Sequence, residues 1–136
     1  MKTGCPINHI DHVAIAVKDI CATIRVFGEV FGILAPEVSH LPEHGVKAVL
    51  IQSGQTRIEI LEPLDPENSI GRFIKTKGEG LHHIALNVDN LQDKLDYLKN
   101  NGFDLIDTIP REGLSGNVAF IHPSSVFGVL TELVEN

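Results

Sequence analysis

Two histidines and two glutamates, placed alike in the two halves of the chain, are the residues best suited to chemistry. His12 opens the segment His12-Val13-Ala14-Ile15-Ala16-Val17, and His83 opens His83-Ile84-Ala85-Leu86-Asn87-Val88, 71 residues further on. Each is followed, after 47 and 49 residues, by a glutamate inside an apolar run. Glu59 lies in Ile58-Glu59-Ile60-Leu61-Glu62 and Glu132 in Thr131-Glu132-Leu133-Val134-Glu135. A carboxylate in an otherwise aliphatic strand is expensive to bury without a compensating charge. One divalent cation compensates both carboxylates and uses both imidazoles. Mixed nitrogen and oxygen ligation suits Co, Mn, Ni, Zn or Fe(II), and the residue types do not choose among them. Any one of the four alone reads more simply as a strand residue facing water, or as half of a His–Glu hydrogen bond. Four at repeat-related positions read as a metal site.

Strand alternation decides which histidines belong to it. Side chains of adjacent strand residues point to opposite faces, so His82 and His83 part company. His83 holds the position equivalent to His12, and those two share a face that His82 does not. His9, His40, His44 and His122 read as surface or supporting groups.

The elements that must position these residues also come in pairs. A strand from about His9 to Val17 alternates, with Ile10, His12, Ala14 and Ala16 on one face and Val13, Ile15 and Val17 on the other. Asp19 is placed to cap a helix whose stripe is Ile20, Ile24, Phe27 and Phe31, with Gly32 as its stop. A strand near Val46–Gln52 turns at Ser53-Gly54-Gln55 into a second from Arg57 to Leu61. After a connector carrying a short helix over Ile70–Lys77, the plan repeats. Asn90 caps a helix with the stripe Leu91, Leu95 and Leu98, and Gly102 stops it. Strands are expected near Phe103–Ile106, Asn117–His122 and Val129–Val134. The class is α+β: two tandem βαβββ modules, about 8–63 and about 80–136, within a single domain spanning 1–136. They form one sheet-based cavity with helices on the outside.

Composition narrows the partners. At 136 residues and 43% hydrophobic content the chain supports a real core, an aliphatic one since aromatics are 5%. A formal net charge of -7 argues against nucleic acid. No apolar run reaches the roughly 20 residues of a membrane helix, and the N-terminal residues lack a signal-peptide pattern. Cys5 and Cys21 have neither metal nor disulfide spacing and read as reduced thiols, which makes a cytoplasmic location the expectation.

These residues carry a resemblance. The segments His9-Ile10-Asp11-His12-Val13-Ala14, Ile58-Glu59-Ile60-Leu61-Glu62-Pro63, Lys77-Gly78-Glu79-Gly80-Leu81-His82-His83-Ile84-Ala85, Phe120-Ile121-His122-Pro123 and Gly128-Val129-Leu130-Thr131-Glu132-Leu133 span nearly the whole chain. Together they resemble the vicinal-oxygen-chelate (glyoxalase/bleomycin resistance/dioxygenase) superfamily, and within it most closely the methylmalonyl-CoA epimerases. The resemblance implies the glyoxalase fold, paired βαβββ modules closing a half-barrel cavity around one divalent metal per chain. It maps the metal ligands to His12, Glu59, His83 and Glu132.

The activity implied is interconversion of (R)- and (S)-methylmalonyl-CoA through a metal-stabilised enolate, in a homodimer. Glu132 is the first choice for one acid/base group. Glu59, Glu43 or an ordered water is left for the second, because the family's strand-two glutamate is Ala48 here. The helix-one tyrosine is Phe27. Family lysines are replaced by Asn117 and Ser124, which leaves the acyl group open. Arg72, Lys75, Lys77 and Arg111 are the cations available to coenzyme A phosphates. A glyoxalase-type lactoylglutathione lyase, or a related isomerase on another thiol conjugate, is the alternative. An extradiol dioxygenase fits less well, since Glu59 would fill a fourth ligand position. A metal-free binding protein of this fold would not need the four ligands at all.

Overall fold

A computed structural model describes residues 4–136. Among them are eight strands and three α-helices. The chain divides into two compact units, one made of the residues up to His12 together with His83–Asn136, the other of Val13–His82. The divisions fall inside β1 (His9–Ala16) and β5 (Gly80–Asn87), so each of these strands serves both units.

In the unit Val13–His82, helix α1 spans Ile20–Phe31. The Asp19 side chain accepts from the Ala22 amide at 3.0 Å, and Gly32 closes the helix at φ 67°. The short β2 (Ser39–Leu41), which periodicity does not reveal, pairs with β3 (Val46–Ser53). β3 pairs antiparallel with β4 (Thr56–Pro63) around a two-residue turn at Gly54-Gln55. The α1 side of this hairpin is packed with Val49, Ile51 and Ile60, joined by Val17 and Ile20. Phe31, the last residue of the expected stripe, is 62% exposed instead of buried. Helix α2 covers Ser69–Lys77, capped by Asn68.

The other unit repeats the plan with its own core. Helix α3 (Leu91–Asn100), capped by Asn90, places Leu91 and Leu95 on Ala119, Ile121 and Leu133. β8 (Thr131–Glu135) lies parallel to β5 and antiparallel to β7 (Asn117–Ile121), which pairs with the two-residue β6 (Arg111–Glu112). The expected strand at Phe103–Ile106 does not form; only Leu105 makes an isolated bridge, to Ile121. Its amides are used elsewhere: Asp104 N–H donates to Ser125 Oγ, and the amides of Ile106 and Asp107 both turn to the Phe120 carbonyl. β8 starts at Thr131 because Pro123–Val126 forms a 3-10 turn that ends in two left-handed residues, Phe127 and Gly128.

One device recurs in both units. Glu62, three residues after Glu59, accepts from the first amide of α1, Ile20 N–H, at 2.9 Å. Glu135, three residues after Glu132, accepts from the first amide of α3, Leu91 N–H, at 2.6 Å. A spacing of three puts the two carboxylates of each pair on opposite strand faces. The second of each thus supplies an anion to a helix N-terminus, where unsatisfied amides and the helix dipole favour it.

Candidate metal centre

In the unit containing β8, the two sheet faces have separate duties. Leu133, Ala119 and Ile121 take the face against α3. Ala85, Val118 and Val134 pack as a small cluster on the other face, and the register continues that face to Glu132, opposite Ala85 on one side and Phe120 on the other. His83, two residues before Ala85, follows the same row and stacks edge-on against the Phe120 ring at 5.2 Å. His12 meets His83 edge-on at 5.5 Å.

Both imidazoles aim their Nε2 atoms at one carboxylate. His12 Nε2 lies 3.5 Å from Glu132 Oε1 and His83 Nε2 lies 3.4 Å from Glu132 Oε2. His12, His83 and Glu132 are 1%, 7% and 7% exposed. These separations exceed the about 2.7–3.2 Å of a direct N–H···O bond. Donor atoms held about 2.1 Å from a common cation stand roughly 3.0–3.4 Å apart at octahedral to tetrahedral angles. The donor set therefore fits a divalent metal in both chemistry and spacing, and His12 and His83 both belong to a buried group able to hold one. Asp11 completes the orientation of His12: its Oδ2 is 2.6 Å from His12 Nδ1 and its side chain is buried. A carboxylate on Nδ1–H leaves Nε2 as the lone-pair nitrogen.

Glu59 belongs to the other unit. It is 3% exposed on β4, directly opposite Leu50, on the hairpin face turned away from α1. Ala48, 4% exposed, shares that face through its pairing with Leu61. His82 points away from its neighbour His83, stacking on Phe73 of α2 at 4.8 Å, and burial pushes its pKa below the usual histidine value. His9, His40 and His44 are exposed, and exposed His122 caps the 3-10 turn by accepting from the Ser124 amide. Of the proposed phosphate-binding cations, Arg72 is exposed and Lys75 is ion-paired with Glu67. Arg111 lies over the Phe120 ring at 5.4 Å and pairs with Asp107 at 3.3 Å. Glu43 is exposed in a 3-10 turn.

Sequence reasoning did not single out Asp11 or Phe120. Asp11 was in plain view beside a candidate ligand, but the alternation rule assigns neighbours to opposite faces and gives no reason to couple them. Phe120 carries no signal beyond its place two residues before His122.

Residues 11–120 match the Glyoxalase/Bleomycin resistance protein/Dioxygenase superfamily. The chain belongs to that superfamily. Membership bears out the expected α+β glyoxalase fold. The uncharacterized protein YqjC of Bacillus subtilis (strain 168) is 36% identical over 129 residues, covering 94% of this chain and 92% of that protein. The mitochondrial methylmalonyl-CoA epimerase of Mus musculus is also 36% identical over 129 residues, covering 93% of this chain and 72% of that one. The crystal structure of methylmalonyl-CoA epimerase from Mycobacterium tuberculosis superimposes with a TM-score of 0.88 at 28% identity, over 99% of this chain and 92% of the other. The chain is thus related along nearly its whole length to methylmalonyl-CoA epimerases. Among its described residues no helix is long and apolar enough to cross a membrane.

Proposed function

We propose that this superfamily member is a metal-dependent epimerase that inverts the acidic carbon of a malonyl-type acyl-CoA, methylmalonyl-CoA foremost. The observation that carries the reading is the convergence of His12 Nε2 and His83 Nε2 on the Glu132 carboxylate. The proposed ligands are His12, Glu59, His83 and Glu132, and the bound metal supplies Lewis-acid stabilisation of negative charge developing on substrate oxygens. His12 and His83 act as neutral imidazoles, the first held in its tautomer by Asp11. Glu132 takes the α-proton from one face onto a carboxylate oxygen, and in the reverse direction delivers it to that face. Inversion needs exchange on both faces of a planar carbanion, so a second group is required. Ala48 offers no proton acceptor, which leaves Glu59 as the choice, ahead of exposed Glu43 or a water. Arg111, Arg72 and Lys75 are proposed to meet the coenzyme A phosphates. A homodimer in the cytoplasm completes the reading.

Buried Ala48 also favours a second reading, a glyoxalase-type isomerase acting on another thioester or thiol conjugate through the same ligands. Proton-to-deuterium exchange at the α-carbon of methylmalonyl-CoA, followed in D₂O with Co(II)-loaded and EDTA-treated protein, tests the first. Metal-dependent exchange with racemisation is expected, reduced about 100-fold or more in Glu132→Gln. Metal uptake without exchange turns the search to glutathione hemithioacetals. Absence of metal uptake leaves a binding protein of this fold.

A further inference from the structure

The imidazole of His12 stands at the end of a directed chain of hydrogen bonds that reaches the surface through three asparagines. Asp11 spends one carboxylate oxygen on His12 Nδ1 and the other on Asn136, whose Nδ2 donates to Asp11 Oδ1 at 2.9 Å. Asn136 Oδ1 in turn accepts from Asn87 Nδ2 at 2.9 Å. Asn87 Oδ1 accepts from Asn8 Nδ2 at 2.8 Å, and the same Asn8 nitrogen donates to Asp89 Oδ1 at 2.8 Å. Asn8 is further tied down by its backbone N–H, which donates to the Asn87 carbonyl at 2.9 Å.

The order of donors and acceptors is forced from both ends. An ionised carboxylate only accepts, so Asn136 must turn its NH₂ toward Asp11 and its oxygen toward Asn87. Asn87 must then present its NH₂ to Asn136 and its oxygen to Asn8. Asn8 meets Asp89 with its second N–H, which agrees with the far end being a carboxylate too. No amide can flip without setting oxygen against oxygen. Asp11 and Asn87 are 4% and 7% exposed, where such a mismatch is costly.

We propose that Asn136 and Asn87 are positioning residues for the metal, acting through Asp11 on the His12 ring. The inference rests on the metal reading of His12, His83 and Glu132. Groups that orient a metal-binding histidine through its second ring nitrogen are typically worth about 10–100-fold in metal affinity. Asn136 sits one bond further out, directly after Glu135, the last residue of β8, the strand that also carries Glu132. The chain therefore ties His12 to the same strand as the carboxylate that its Nε2 faces.

The test is equilibrium Co(II) binding by competition with a chromophoric chelator, together with the visible spectrum of bound cobalt and the melting temperature of the metal-free protein. It compares the parent with Asn136→Leu, Asn136→Gln, Asp11→Ala and the Asn136→Leu/Asp11→Ala pair. Leu98→Ala serves as control, since Leu98 packs on the α3 core and lies outside the chain of bonds. Asn136→Leu is expected to weaken cobalt binding about tenfold and alter the cobalt bands, with Asn136→Gln recovering most of the loss. In the Asp11→Ala background it should change affinity less than about twofold, the non-additivity expected of residues acting in series. Leu98→Ala should lower the melting temperature while leaving affinity within about twofold of the parent. Equal weakening in both backgrounds overturns the proposal, as does a control that loses as much affinity as Asn136→Leu. A parent that takes up no cobalt sinks the metal reading and this one together. A parent that binds cobalt no better than Asn136→Leu sinks this one alone.

Discussion

Glu135 offers a way to separate the stability of this fold from its proposed chemistry. Its Oε1 accepts from Leu91 N–H, the first amide of α3, at 2.6 Å in a half-buried setting. A hydrogen bond to a charged acceptor contributes about 1.5–3 kcal/mol, and an anion at a helix N-terminus roughly 0.3–1 kcal/mol. Glu135→Ala loses both and leaves the amide beside the Leu91–Leu133 core, where water replaces the carboxylate only in part. Partial exposure keeps the figure near the lower end, about 2 kcal/mol. For a chain of this length that is roughly a 6–10 °C fall in melting temperature. Glu135→Gln keeps an acceptor and loses the charge, so about half that fall is expected. Both are measured by calorimetry or circular dichroism on the metal-free protein. Cobalt affinity measured well below the transition should stay within about twofold of the parent, because Glu135 and Glu132 leave β8 on opposite faces. A loss below about 0.5 kcal/mol would falsify the capping argument. Cobalt affinity that falls along with stability would refute the division of labour between the two faces.

Other outcomes can be stated briefly. Gly71→Ala, although it replaces glycine within helix α2, should destabilise by about 2 kcal/mol or more, since the added Cβ would stand 2.5 Å from the backbone of Asp65 and Pro66. An unchanged or raised melting temperature would show that this backbone yields easily. Phe127→Gly should stabilise by about 0.5 kcal/mol, because Phe127 holds φ 60° with its side chain fully exposed and nothing buried in return. A drop in denaturation midpoint would mean that the ring has a partner in solution. Free Co(II) at 100 times its dissociation constant should add about 2.7 kcal/mol, or roughly 8–13 °C, over EDTA-treated protein. A melting temperature that ignores cobalt at this excess would contradict a metal site coupled to the folded state.

Much of this protein was legible as a linear pattern because its main signals are local. Asp19 and Asn90 announce their helices through a side chain that reaches amides three residues ahead. Gly32 marks the end of α1 by accepting a backbone angle that other residues resist. Alternation along β1 set His12 beside buried Ala14 and Ala16, and along β5 it set His83 beside buried Ala85, although Ile10 and Leu81, on the same faces nearer the strand starts, are exposed. It sent His82 the other way, to Phe73. The repeat of a glutamate in an aliphatic strand could be read without coordinates, since an isolated carboxylate there has a high desolvation cost.

What the tertiary structure alone decided are the matters of who meets whom across long stretches of chain. The 3.5 and 3.4 Å approaches of His12 and His83 to Glu132 depend on strands more than a hundred and about fifty residues apart in sequence. The Asp11–Asn136 bond joins residues 125 positions apart, and asparagine has no periodicity that would disclose it. Phe103–Ile106 has strand-forming residues, yet its amides found the Leu98 carbonyl, a serine and the Phe120 carbonyl in place of a ladder. Local rules act over a few residues, through steric limits on the backbone and side chains that reach a turn away. Long-range polar partners are chosen by the packing of the whole unit, where each buried donor and acceptor takes whichever complement the folded chain brings within reach.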